Sequence, residues 1–274
     1  MPELPEVETI RRTLSKKVQG KTIRCVEILL PRLIKWPSAP EFQAVVTHKT
    51  VKNLARRGKY LLFYLSEGQV MVVHLRMTGR LYYRTPDMAR DRFTHLVFTF
   101  ENGDELLYAD TRTLGTLYVM PEGELWRISG LSQMGPEPLS AEFTLSYLQT
   151  ILAKRKGKIK SLLLNQNLIG GLGNIYVDES LALAGIHPER AANSLTDEET
   201  KNLFQAINQV IQAGIDHGGT TFRDYRNGEG KSGDHQRHLR VYGRKNQLCA
   251  ICGSKIERTE VGGRGTHYCP HCQH

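Results

Sequence analysis

The sequence predicts an α+β multidomain fold: an N-terminal helix leading into a sandwich or barrel-like β domain, a helical second segment, and a C-terminal module organised by four cysteines. Three observations predict it. Apolar residues recur at helical spacing near the start and again beyond Thr196. Between these stretches the runs are short and rich in aliphatic, β-branched and aromatic residues. Near the end stand two Cys-x-x-Cys pairs, Cys249/Cys252 and Cys269/Cys272. The 274 residues, 40% hydrophobic and 24% charged, suffice for two globular domains of ordinary size. No run approaches the roughly 18 uninterrupted apolar residues of a membrane span.

Residues 5–18 read as an amphipathic helix. Pro5 suits a first helical position, and Val7, Ile10, Leu14 and Val18 share one face. Glu6 and Glu8 near the start and Lys16 and Lys17 near the end complement the helix dipole, and Gly20 is a natural stop. Strands follow at Thr22–Leu30, Tyr60–Leu65, Gln69–His74 and Leu96–Phe100. Asn102-Gly103, set between Leu96–Phe100 and Glu105–Tyr108, signals a hairpin. Cys25 stands alone among apolar neighbours and is expected in the core.

Gly135-Pro136-Glu137-Pro138 breaks the pattern and reads as a hinge or linker. Beyond it Thr196-x-x-Glu199 is a capping box for a helix whose apolar face carries Leu203, Ile207, Val210, Ile211 and Ile215 and which stops at Gly218-Gly219. A polar, glycine-containing stretch from Arg223 to His238 reads as a loop. The divisions are therefore 1–130, a linker at 131–140, 141–234, and 235–274.

Sixteen residues separate the cysteine pairs, a spacing that suits two tight turns offering four thiolates to one tetrahedral, structural Zn²⁺. A pair of disulfides is the alternative. The acidic, proline-rich start MPELPEVE weighs against it, being the opposite of a secretion signal, and a cytoplasmic location follows by default. The formal net charge of +9 suggests a polyanionic partner. Nucleic acid is the first candidate; the ribosome and acidic membranes stay open on charge alone.

Met1-Pro2-Glu3 carries a chemical possibility. Initiator methionine is normally removed before proline, leaving a secondary amine with a reference pKa of about 7.7–8.0. Attack by such an amine on a sugar C1′ gives an iminium that cannot lose its charge by deprotonation and so acts as an electron sink. Glu3 is placed to shuttle protons. The residues alone also fit a plain chain start with acids that offset a helix dipole.

MPELPEVETIRR is very similar to the N-terminus of the formamidopyrimidine-DNA glycosylases. The similarity continues through Arg57-Gly58-Lys59-Tyr60-Leu61, His74-Leu75-Arg76-Met77, Gly135–Leu139, Gly173–Glu179 and Gly263–Cys269, in the family's order. The resemblance implies an N-terminal β-sandwich, a helix–two-turn–helix domain with a base-capping loop, and a zinc-bound β-hairpin. It implies Pro2 as nucleophile, Glu3 as general acid, Glu6 in support and Lys59 at the DNA backbone. Asn174, after Gly170, Gly171 and Gly173, becomes a phosphate contact at a helix start. Arg264, between glycines at a hairpin tip, becomes a forked phosphate clamp.

A base-extruding enzyme must fill the gap it leaves. By resemblance the fillers are Met77, Arg112 and Leu114, with His74 nearby at the DNA. Leucine at 114, where phenylalanine is common, puts wedge strength in doubt. Phe93, where the family often has histidine, weakens a contact there. Arg155 of Lys154-Arg155-Lys156 is assigned to DNA, and Thr220 and Tyr225 to the lid over the extruded base. The implied activity is that of a bifunctional glycosylase and lyase on duplex DNA containing 8-oxoguanine or formamidopyrimidines, acting as a monomer with one Zn²⁺. The sister class that removes oxidised pyrimidines shares Pro2, Glu3 and the hairpin, and a non-catalytic zinc-finger DNA binder would share the charge and cysteines.

Overall fold

The computed structural model describes residues 1–86 and 88–274, which fall into two compact units: Met1–Ser132 with His217–Gln236, and Gln133–Asp216 with Arg237–His274.

The first unit opens with α1 (Leu4–Val18). Glu3 and Glu6 cap it reciprocally, side chain to backbone N–H in both directions. Val7, Ile10, Leu14 and Val18 are fully buried, each contributing about 1.5–3 kcal/mol by leaving water. Then come β1 (Ile23–Ile28), β2 (Ile34–Trp36), α2 (Ala39–Val46), β3 (Val51–Arg57), β4 (Tyr60–Leu65), β5 (Gln69–His74), β6 (Gly79–Arg84), β7 (Thr94–Phe100), β8 (Glu105–Asp110), β9 (Thr116–Pro121) and the short α3 (Ser129–Ser132). One sheet runs β1-β7-β8-β6 and the other β2-β9-β5-β4-β3. All pairs are antiparallel except β2 with β9. Val26, Phe98 and Tyr108 from one sheet share a single core with Leu54, Phe63 and Val73 from the other, as a sandwich requires.

Cys25 departs from expectation: it is only half-buried. A bulge between Ile23 and Cys25 shifts the register, so Ile23 and Val26, three residues apart, face inward. The same device explains why β3 escaped sequence reading. A bulge after Val51 puts Val51 and Leu54 inward, and the alternation that marks a strand is lost. The Asn102-Gly103 hairpin forms as expected, with Gly103 at φ 87°.

The second unit contains α4 (Leu145–Ala153), α5 (Ile159–Leu163), α6 (Asn174–Ala184), α7 (Asp197–Asp216) and the hairpin β10 (Glu257–Val261) and β11 (Arg264–Tyr268). The Thr196–Glu199 capping box is present, at 2.8 and 3.2 Å. Gly135-Pro136-Glu137-Pro138 is not a slack connection. The Gly135 N–H donates to Gln166 O, the Pro136 carbonyl accepts from Gly170, and Glu137 is buried. The boundary drawn at 234 follows chain order, whereas packing returns 217–236 to the first unit. There Tyr225 joins the sandwich core.

Candidate active site

In the first unit the residues at the start of the chain form a closed arrangement. Pro2, Glu3 and Glu6 are buried and Met1 is exposed. Glu6 Oε2 accepts the Glu3 N–H at 2.8 Å, and Oε1 accepts the Thr220 N–H at 2.7 Å. Gly219, at φ 86°, lets the loop approach so closely that a Cβ there would lie 3.0 Å from Glu6 Cγ. Tyr225 is buried, and its hydroxyl donates to Gly218 O at 3.1 Å. Thr220 and Tyr225, assigned by resemblance to the lid over the extruded base, thus pack against the start of α1.

Lys59 follows the tight turn at Gly58 (φ 55°). Arg56 fixes that turn, donating to Gly58 O at 2.9 Å and to Glu8 at 3.3 Å. Burial would raise the Glu8 carboxyl, but hydrogen bonds and charge from Arg11, Arg12 and Arg56 hold it down at about 2. His74 is 7% exposed and lies edge-on to Tyr60. Burial first, then the charges of Arg76 and Lys59, push it down to about 3. Its Nδ1 accepts the Arg76 N–H at 3.0 Å, so the proton of the neutral ring sits on Nε2. As a neutral ring it offers its Nε2–H as a hydrogen-bond donor rather than a positive charge.

Met77, Arg112 and Leu114 come together on the surface. Met77 and Leu114 are 43% and 46% exposed, and Arg112 Nη1 lies 3.0 Å from Met77 Sδ, so the three side chains share one patch of surface.

In the second unit Asn174 begins α6, whose N-cap residue, Gly173, has no side chain to cap the helix. Its Nδ2 donates to Gly265 O at 2.8 Å, leaving the second amide hydrogen for another acceptor. Arg264 is exposed and begins β11 directly after Gly262-Gly263. The neighbouring Gly265 carbonyl also accepts from Lys160 at 3.2 Å. Lys160 is fully buried and pairs with Asp178 at 2.5 Å, while Asp178 Oδ2 accepts the His267 N–H. The hairpin tip is therefore fixed to α5 and α6 as well as by its cysteines. Arg155 stands apart: half-buried, it donates to Ile151 O at the end of α4.

The Sγ atoms of Cys249, Cys252, Cys269 and Cys272 lie within 4.8 Å of one another. Cys249–Cys272 is 3.9 Å and Cys252–Cys269 is 3.5 Å, far from disulfide contact. Sulfurs on a tetrahedral zinc at about 2.3 Å would stand roughly 3.8 Å apart, so the four residues fit that ion. No helix among the described residues is long and apolar enough to cross a membrane.

Residues 1–117 match the formamidopyrimidine-DNA glycosylase N-terminal domain, 134–226 the formamidopyrimidine-DNA glycosylase H2TH domain, and 246–274 the zinc finger found in FPG and IleRS. The chain belongs to the formamidopyrimidine-DNA glycosylase family. A formamidopyrimidine-DNA glycosylase of Desulforamulus reducens is 47% identical over 274 residues, covering all of this chain and 99% of the relative. One from Bacillus licheniformis is 48% identical with the same coverage. Two solved structures of Lactococcus lactis Fpg, one with abasic-site DNA and one with DNA containing N7-benzyl-Fapy-dG, superpose with TM-scores of 0.93 at 39% identity, covering 99% of each chain. The protein is a DNA glycosylase of base excision repair, in a family that also carries AP lyase activity.

In this glycosylase the sequence pattern left several residues without a role. Lys160 is the one cation of α5, set beside Ile159, Leu162 and Leu163, which was a usable signal. Glu179, buried on α6, accepts N–H groups of Arg240, Val241 and Tyr242. Asp110 ends a fully buried strand. Nothing in the sequence next to Asp110 or Glu179 announces its partners.

Proposed function

We propose that this chain excises 8-oxoguanine and formamidopyrimidines from duplex DNA with Pro2 as nucleophile, then cuts the strand. In the full chain the Pro2 nitrogen is an amide; removal of Met1 makes it a secondary amine. That nitrogen bonds to C1′ as the C1′–base bond breaks, and Glu3 supplies the proton that the leaving base and opening sugar require. The resulting iminium withdraws electrons, a C2′ proton is lost, and the 3′ phosphate leaves. A second elimination releases the 5′ phosphate, leaving a one-nucleotide gap.

The observation that carries this reading is the reciprocal Glu3–Glu6 cap, which holds two carboxylates beside Pro2 at the positive end of α1. Lys59, Asn174 and Arg264 grip phosphates, the last two through the α6 N-terminus and the forked guanidinium. Arg155 adds charge, and Met77, Arg112 and Leu114 fill the gap, Arg112 pairing with the orphaned cytosine. Thr220 and Tyr225 anchor the lid, and His74 contributes to the DNA-facing surface. One structural zinc, held by Cys249, Cys252, Cys269 and Cys272, keeps the hairpin folded. The protein works as a cytoplasmic monomer, with functional segments at 1–130, 141–234 and 235–274.

Borohydride trapping on an 8-oxoguanine duplex, with the intact mass measured beforehand, tests the reading. Wild type lacking Met1 leaves a covalent adduct and Pro2→Gly loses most of it. Undiminished trapping in Pro2→Gly, or an active enzyme that retains Met1, removes Pro2 from the mechanism. Faster cleavage of thymine-glycol than of 8-oxoguanine duplexes would favour an oxidised-pyrimidine enzyme instead.

A further inference from the structure

Five donors converge on one carboxylate that no solvent reaches. Asp110 Oδ1 accepts from the Thr78 hydroxyl at 2.5 Å and the Arg112 N–H at 3.2 Å. Its Oδ2 accepts from the N–H groups of Leu114 and Gly115, both at 2.9 Å, and from the Tyr108 hydroxyl at 3.2 Å. The main chain of Asp110 is engaged too, its N–H donating to Phe93 O and its carbonyl meeting His95 Nε2 at 2.8 Å. Thr78 closes a ring, since its oxygen also accepts the Arg112 N–H at 3.1 Å.

These bonds join two loops that are distant in sequence. One carries Met77 and the other carries Arg112 and Leu114. Each loop contains a non-glycine residue in the left-handed region, Arg76 at φ 53° and Thr113 at φ 52°. Such residues persist only where their surroundings over-determine them. Gly115 adds a steric limit, because a Cβ there would lie 1.6 Å from the Tyr108 hydroxyl.

We infer that Asp110 is a positioning residue for lesion recognition: it locks the loops of Met77 and of Arg112–Leu114 into the single arrangement in which Arg112 reads the base opposite the lesion. The inference rests on the reading above that Arg112 meets that base. Asn at 110 keeps the shape but turns one oxygen into an N–H donor. Placed at Oδ2 that donor faces two N–H groups, and placed at Oδ1 it faces Arg112 N–H. Either way the loop of Arg112–Leu114 loses at least one of its bonds to the side chain at 110.

The test is single-turnover excision of 8-oxoguanine opposite cytosine and opposite adenine, with melting temperatures, for wild type, Asp110→Asn, Thr78→Val, Arg112→Ala and the Asp110→Asn/Arg112→Ala double variant. Asp110→Asn should lower the cytosine-to-adenine rate ratio about tenfold, Thr78→Val should lower it in the same direction, and the double variant should fall no further than Arg112→Ala. A purely structural role would lower the melting temperature and slow both duplexes alike, leaving the ratio unchanged, and would overturn the inference. So would multiplicative effects in the double variant. If Asp110→Asn does not fold, Thr78→Val decides alone. An unchanged ratio in Arg112→Ala sinks the reading of Arg112 and the inference with it; a changed ratio there beside an unchanged one in Asp110→Asn and Thr78→Val sinks only the inference.

Discussion

Glu6 reaches Thr220 across 214 residues of sequence, accepting its N–H at 2.7 Å while the other carboxylate oxygen holds the N–H of Glu3. One side chain thus secures both the start of α1 and the loop laid against it. Glu6→Gln must turn an amide N–H toward one of these donors, at a cost of about 1–3 kcal/mol. Hydrogen exchange should accelerate at Thr220 or Glu3, with slower excision. Wild-type protection at both amides would show that the bridge contributes nothing.

His74 makes the first unit sensitive to acid. Its folded value lies at about 3, below the ordinary 6.5. Between these values the unfolded chain binds a proton that the folded chain does not. Stability is therefore full above pH 6.5, falls as pH drops, and has lost on the order of 4 kcal/mol near pH 3. Asn at 74 offers an acceptor to the Arg76 N–H without titrating. Urea unfolding of His74→Asn should vary less with pH across this window; an equal slope would remove His74 as the cause.

Lys160 and Asp178 form an ion pair with both partners fully buried. Lys160→Met alone strands the carboxylate and should cost about 3–5 kcal/mol. Adding Asp178→Asn removes the stranded charge while keeping an acceptor for the His267 N–H, and should recover a good part of the loss. Thermal melting of the three proteins checks this, and additive losses would contradict it.

Cys249→Ala leaves three thiolates for a four-coordinate ion. Zinc content by mass spectrometry should fall from about one per chain toward zero, and DNA affinity should fall with it. Retained affinity with no bound zinc would mean that the hairpin holds its shape through Lys160, Asn174 and Asp178 alone.

Local patterns carried much of this architecture. The spacing of Val7, Ile10, Leu14 and Val18 defined α1, the apolar runs defined β4 and β5 to the residue, and the cysteine spacing defined the metal module. Patterns failed where geometry broke their period. Bulges at Cys25 and after Val51 turned an alternation of two into a step of three. They also failed where a polar residue's partners are remote. Asp110 meets Thr78, 32 positions away, and Lys160 meets a carbonyl 105 positions away. A resemblance carries residue identities through such places, but not what the side chains touch. Arg155, Thr220 and Tyr225 are cases where the bonds observed are to the protein itself.

Tyr225 belongs to a core cluster whose other buried members all lie at or before Val119. A ribosome reading from the start finishes both sheets long before it delivers this tyrosine, with the whole α4–α7 stretch intervening. The nascent sandwich must therefore wait with one seat empty, its apolar lining open to water or to a chaperone. No single cut in the gene yields both units complete, so the first cannot be finished before most of the polypeptide exists.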